Sequence, residues 1–131
     1  MEDKIYRGDI VWAKNPLASG HIQKNMRPYL IISNNKNNEH STTVLAIPLT
    51  TKIKKNLPTH YKIKLNNKTN TVLAEQIVCL NKTDIDSYID TINEYDLKQI
   101  EDKVKIQLDL KGEQKWDYII YTENLQHLIK C

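Results

Sequence analysis

The chain has no run of about 18 apolar residues, and its first residues lack the basic-then-apolar pattern of a secretion signal. Membrane insertion and export are therefore not expected, and the expected address is the cytoplasm. Cysteine is scarce. Cys79 and Cys131 stand far apart with no CxxC spacing, so neither reads as a metal ligand, which agrees with that address. Cys79, inside an apolar run, reads as a small buried hydrophobe, and Cys131 as an exposed passenger. There is no HExxH, no Asp/Glu cluster with metal spacing and no nucleophilic cysteine or serine motif. Asn67-Lys68-Thr69 and Asn81-Lys82-Thr83 fit the glycosylation sequon, but without a secretion signal the match is chance. No internal repeat, linker or low-complexity stretch breaks the chain.

A length of 131 residues suits one domain. At 40% hydrophobic and 27% charged, the composition is that of a folded, well-solvated protein rather than a disordered segment. The net charge of +3 gives only a mild bias toward anionic partners. Its distribution says more. Lys52, Lys54 and Lys55 cluster after an apolar strand, whereas Glu94, Asp96, Glu101, Asp102 and Asp109 collect in the C-terminal third.

β-prone runs fall at Asp9 to Ala13, Pro28 to Ser33, Thr42 to Leu49, Thr59 to Leu65 and Thr71 to Leu80, each bounded by Asn, Pro or Lys-rich punctuation. A long loop holding Pro16 and Gly20 separates the first two. Short strands at this spacing predict a barrel or sandwich. Pro48 removes a ladder donor, so its strand is expected near an edge or bulged there, with an irregular sheet beside Thr50. Asn93 as cap, with Leu97, Ile100, Val104 and Leu108 on one face, predicts a helix over 94–110. A short helix near Lys82 to Ser87, an extended piece at Ile89 to Ile92 and a β-prone run at Trp116 to Tyr121 complete the pattern. Residues 1–110 are read as the domain and 111–131 as a C-terminal extension.

Five pieces in order then carry a family resemblance: Arg7-Gly8-Asp9-Ile10-Val11; Gly20 through Arg27-Pro28 into an apolar strand; Val44 through Lys55 (VLAIPLTTKIKK); Pro58-Thr59-His60; and Leu73-Ala74-Glu75-Gln76-Ile77. Each string is short, but their order and spacing together resemble the MazF/PemK toxins over about residues 5 to 110. The resemblance implies a mainly β fold with α, an SH3-like β-barrel of the CcdB/MazF type with a C-terminal helix, and a homodimer. It also implies a toxin of a toxin–antitoxin system that cuts single-stranded mRNA at chosen sequences without a metal or other cofactor. The ribose 2′-hydroxyl attacks the adjacent phosphate, leaving 2′,3′-cyclic phosphate and 5′-hydroxyl ends. A MazE-like antitoxin is the implied partner, its acidic extended segment covering the RNA groove.

Under that resemblance Arg27 and Thr50 are the catalytic residues. A guanidinium with several donors suits the charge that builds on the non-bridging phosphate oxygens, and Pro28 holds Arg27 in extended backbone. The Thr50 hydroxyl is placed to bond the phosphate or orient the 2′-hydroxyl. Neither serves as a base near neutral pH, so the general acid and base stay unassigned. His21 is read as a loop residue contacting RNA, with acid–base work as the alternative. His60 is read as structural. RNA-binding candidates are Pro16, Gly20, His21, Gln23, Asn34, Thr51, Lys52, Lys54 and Gln76. Lys24 and Asn25 stand where many relatives have glycines, so the recognition loop departs from its relatives. Two rivals remain: a non-catalytic toxin on the same fold, as in the CcdB gyrase poisons, and a plain RNA-binding module.

Overall fold

The computed structural model describes residues 4–16, 25–52 and 55–110. The expectations for Gly20, His21, Gln23, Lys54, Cys131, Trp116 to Tyr121 and the 111–131 extension lie outside these residues. The elements in order are β1 (Asp9–Lys14), β2 (Met26–Ile31), α1 (Asn35–His40), β3 (Thr43–Thr50), β4 (His60–Leu65), β5 (Lys68–Leu73), β6 (Val78–Asn81), β7 (Ile85–Thr91) and α2 (Glu94–Leu108). All pairings are antiparallel in a seven-stranded sheet of order β4-β5-β3-β2-β1-β7, with β6 also on β3.

Period-two alternation sorts the apolar side chains onto the two faces of this curled sheet. One face carries Val11, Ala13, Tyr29, Ile31, Val44, Ala46, Leu80 and Ile85. The opposite face carries Ile10, Leu30, Ile47, Leu49, Ile63, Leu65 and Val72, and α2 lies over it with Ile100 fully buried and Leu97 and Val104 packed alongside. Asn93 caps α2 by accepting from the Asp96 backbone N–H at 2.7 Å. The helix stops at Asp109 in the left-handed region, φ 54°. Its apolar face ends earlier than the periodicity implies, because Leu108 is exposed.

The expectation of one strand from Thr71 to Leu80 is corrected. β5 pairs β3 as Leu49↔Val72 and Thr50↔Thr71, whereas β6 pairs it as Val44↔Leu80 and Ala46↔Val78. The register slips by three residues between them, the three that form the 3-10 turn Ala74–Gln76. Pro48 explains why the slip is tolerated there. Ile32 N–H donates to Leu45 O across to β2, so the odd residues of β3 bond β2 and the even ones, Pro48 included, point toward β5 and β6. The missing donor falls where the ladder is already interrupted. β3 is thus internal rather than an edge strand; the irregularity lies in its partner.

The slip also corrects the expectation for Cys79, which is exposed. With the alternation restarted at Val78, Leu80 points inward, and Cys79 points out beside Leu45 of β3. Residues 82–84 form only a 3-10 turn, and β7 begins at Ile85, where helix was expected through Ser87. α1 was not legible, since Asn35–His40 lacks apolar periodicity; it forms because Asn34 caps it and buried Asn38 bonds Ser33.

Candidate active site on the rim between β2 and β3

β2 and β3 pair as Tyr29↔Pro48, Leu30↔Ile47 and Ile31↔Ala46. Carried two residues further, that register sets Arg27 across from Thr50, and directly opposed residues of an antiparallel pair share a face. On its other side Arg27 pairs with Ala13, whose methyl leaves room above the sheet. Thr50 pairs with Thr71, and Thr71 with Lys62. One row across four strands therefore reads Arg27, Thr50, Thr71, Lys62.

The row is arranged for an anion. Arg27 is half-buried, and its guanidinium makes no hydrogen bond or ion pair among the described residues. It lies near enough to Tyr29 to act on it: burial pushes the Tyr29 hydroxyl above its ordinary pKa, and the guanidinium pulls partly the other way. Thr50 is 7% exposed and accepts from the Lys52 backbone N–H at 3.1 Å, which orients the hydroxyl and leaves its proton to be given elsewhere. Thr71, 6% exposed, has no hydrogen-bond partner for its hydroxyl among the described residues. A half-buried cation and the hydroxyls of two buried threonines, without protein acceptors among the described residues, form a preorganised donor set. Thr71 was missed in the sequence, because only its register with Thr50 distinguishes it from any strand threonine.

Of the sequence candidates, Thr51 and Lys52 follow Thr50 on the same rim and are exposed. Pro16 is exposed in the turn after β1. Gln76 is exposed on the 3-10 turn between β5 and β6, the strands that flank β3 on the side away from β2. Asn34 is not brought to this rim. It lies beyond the opposite end of β2, and its side chain caps α1 by accepting from Asn37 N–H at 2.8 Å.

His60 is placed as the structural reading expected. Its side chain is 7% exposed and its Nε2 lies 2.9 Å from Glu75 Oε2, while Thr59 Oγ1 donates to Glu75 Oε1 at 2.8 Å. Burial alone would raise the Glu75 carboxyl, but the hydrogen bonds from His60, the backbone and Thr59, with the His60 charge, outweigh it and hold it below its ordinary range. The Pro58-Thr59-His60 string thus anchors the turn that presents Gln76.

An antiparallel barrel with a helix over one face, and an arginine that has no side-chain partner among the described residues set across from two threonines, makes a small β protein with a site suited to an anion. The comparisons make it specific. Residues 6–108 match the family described as PemK-like, MazF-like toxin of type II toxin-antitoxin system, and the chain belongs to that family. It is 30% identical over 109 residues to Endoribonuclease MazF of Staphylococcus saprophyticus, covering 79% of this chain and 91% of that protein. The fold is similar, at TM-score 0.70 and 26% identity, to a mycobacterial endoribonuclease solved in complex with its cognate antitoxin, covering 82% of this chain and 98% of that one. MazF of Deinococcus radiodurans shares the fold at TM-score 0.71 and 21% identity, over 83% and 100% of the two chains.

Proposed function

We propose that the protein is the toxin of a toxin–antitoxin pair, an endoribonuclease that cuts single-stranded mRNA at chosen sequences through the Arg27 and Thr50 row. The observation that carries this reading is Arg27, half-buried without an acidic partner among the described residues and set across from Thr50. The scissile phosphate sits between them. The 2′-oxygen attacks phosphorus and loses its proton, the P–O5′ bond breaks, and the departing 5′-oxygen takes up a proton. A 2′,3′-cyclic phosphate and a 5′-hydroxyl result. Arg27 and the Thr50 hydroxyl hold the non-bridging oxygens as their charge grows, a contribution that exists mainly in the transition state. Thr71 adds a donor beside Thr50. No metal or other cofactor enters these steps.

Lys52, with Lys54, draws the RNA backbone along the rim, and Thr51 and Gln76 meet the unstacked bases. The protein acts as a homodimer in the cytoplasm, and its partner is a MazE-like antitoxin whose acidic segment occupies the same cationic groove. Among the described residues no helix is long and apolar enough to cross a membrane.

Incubating the full chain in EDTA with a long defined RNA tests the reading. Discrete cuts with 5′-hydroxyl ends are expected, lost in Arg27→Ala and in Thr50→Ala. Intact RNA with the wild-type protein would transfer the assignment to a toxin that binds without cutting.

A further inference from the structure

Behind the catalytic row, on the other face of the sheet, a cavity of 370 Å³ opens at the end of the apolar layer. Trp12, Pro28 and Leu65 wall it, Asn70 lies at its base, and Thr51 and Lys68 stand at its mouth. Three of the lining residues each adjoin a residue of the row. Pro28 follows Arg27, Thr51 follows Thr50, and Asn70 precedes Thr71, so strand alternation turns one set to one face and the next to the other. The cavity therefore lies on the opposite face of the same rim from the row, at neighbouring positions of the strands.

Its chemistry is selective. Trp12 pairs with Pro28 across β1 and β2 and, at 37% exposure, offers the cavity an indole with no hydrogen-bonded partner among the described residues. Asn70 is 3% exposed. Its Nδ2 donates to Lys68 O at 3.2 Å, which fixes the amide and leaves Oδ1 as an acceptor without a partner among the described residues. The Oδ1 of this cavity-lining side chain is therefore a fixed acceptor that a ligand N–H can meet. A flat aromatic wall, an apolar slot and one oriented acceptor fit a nucleobase that presents an N–H edge, and Lys68 fits the phosphate beside it.

We propose that this cavity is a base-recognition subsite, in which Trp12 stacks one nucleobase next to the cut and Asn70 Oδ1 accepts from that base's N–H edge, fixing part of the cleavage motif. The inference rests on the endoribonuclease reading for its substrate.

Two measurements on the full chain separate them. Cut positions in an RNA pool randomised at the target are mapped for wild type, Asn70→Ala, Trp12→Ala and Trp12→Tyr. In parallel, binding is measured to oligonucleotides carrying 2′-deoxyribose throughout, which cannot be cut, and differing at one position. Wild type is expected to prefer one base at a single position, in cutting and in binding. Asn70→Ala should reduce that preference on the order of tenfold. Trp12→Ala should weaken binding by a similar factor, with Trp12→Tyr restoring most of it. If Asn70→Ala does not fold, the half-exposed Trp12 pair carries the test alone. Wild type that binds with a single-base preference but does not cut would sink the ribonuclease reading and leave the subsite standing. Cutting with unchanged preference and affinity in the folded variants would overturn the subsite alone.

Discussion

Arg7 and Arg27, the two arginines of the chain, differ in what surrounds their guanidinium groups. Arg7 donates to the Ile32 carbonyl and to the Glu101 carboxylate of α2, so its donors are spent on tying the N-terminal segment to β2 and the helix. Its neighbours act in the same sense. Gly8, at φ 94°, accepts from Ile92 N–H and donates to Ile31 O, and Asp9 accepts from Tyr6 N–H at 2.9 Å and from Thr91 Oγ1 at 3.0 Å. Arg27, on a strand start no more exposed than its neighbours, is given no carboxylate among the described residues. Arg7 is spent on holding elements together; the exception inside the anchored region is His60 Nδ1, buried without a partner among the described residues. On the rim between β2 and β3, by contrast, the Arg27 guanidinium and the Thr71 hydroxyl have no protein partner among the described residues. Such unmet donors are where a ligand is expected to supply the missing partner.

The largest expected effect breaks the comparison at its centre. Arg27→Ala should lower RNA cleavage by about 100- to 1,000-fold while leaving the thermal midpoint nearly unchanged. Arg7→Ala should do the reverse, costing about 1–2 kcal/mol of stability, a modest figure because the ion pair is partly solvated, with cleavage per folded molecule retained. Denaturant titration and initial rates, run on the same preparations, give both readings. Equal losses of rate and stability in the two variants would erase the distinction.

A second test concerns the rim's long-range field. Neutralising Lys52 and Lys54 together should flatten the salt dependence of RNA binding, by about 0.7 log units of slope per lost phosphate contact. An unchanged slope removes both from the groove.

The smallest effects belong to the anchored region. Glu75 is held below its ordinary carboxyl range in the folded chain, so its contribution to stability is present above the unfolded value and is lost as pH falls through the folded one. Glu75→Gln should therefore weaken the protein near neutral pH and flatten the acid limb of its stability curve. Tyr61 mirrors this at the alkaline end. Its hydrogen bond to Asp96 at 2.6 Å, with burial and the nearby charge, pushes its hydroxyl up to about 12. The β4–α2 contact it makes should persist below the ordinary tyrosine value and loosen as pH rises through the folded one. Ultraviolet titration should find Tyr61 among the late-ionising tyrosines, with buried Tyr29 also raised, and Asp96→Asn should remove one tyrosine from that late phase.

The strands β1 to β4 and the helix α2 were legible because their apolar periods, Asn93 and the punctuating prolines all point one way. The break at Ala74–Gln76 was hidden, since Leu73-Ala74-Glu75-Gln76-Ile77 holds none of the residues that mark a turn. With the break went the phase of β6, hence the error at Cys79. The hairpin between β4 and β5 turns on Asn66 and Asn67, both at positive φ, which asparagine tolerates better than most residues. At the site, family resemblance pointed to Arg27 and Thr50 as a pair, but their opposition arises from the β2–β3 register. Thr71 and the Asn70 cavity depend on a register between segments twenty residues apart, which no local pattern encodes. Asn34 was misleading for a physical reason: asparagine after a strand is as apt for capping a helix as for reading a base.

The central claim is that Arg27 and Thr50 act on one phosphate. A double-mutant cycle on cleavage, with Arg27→Ala, Thr50→Ala and both together, tests it most directly. If they share the phosphate, the double variant should cut little more slowly than Arg27→Ala alone. Losses that multiply would mean two independent roles and would contradict the account.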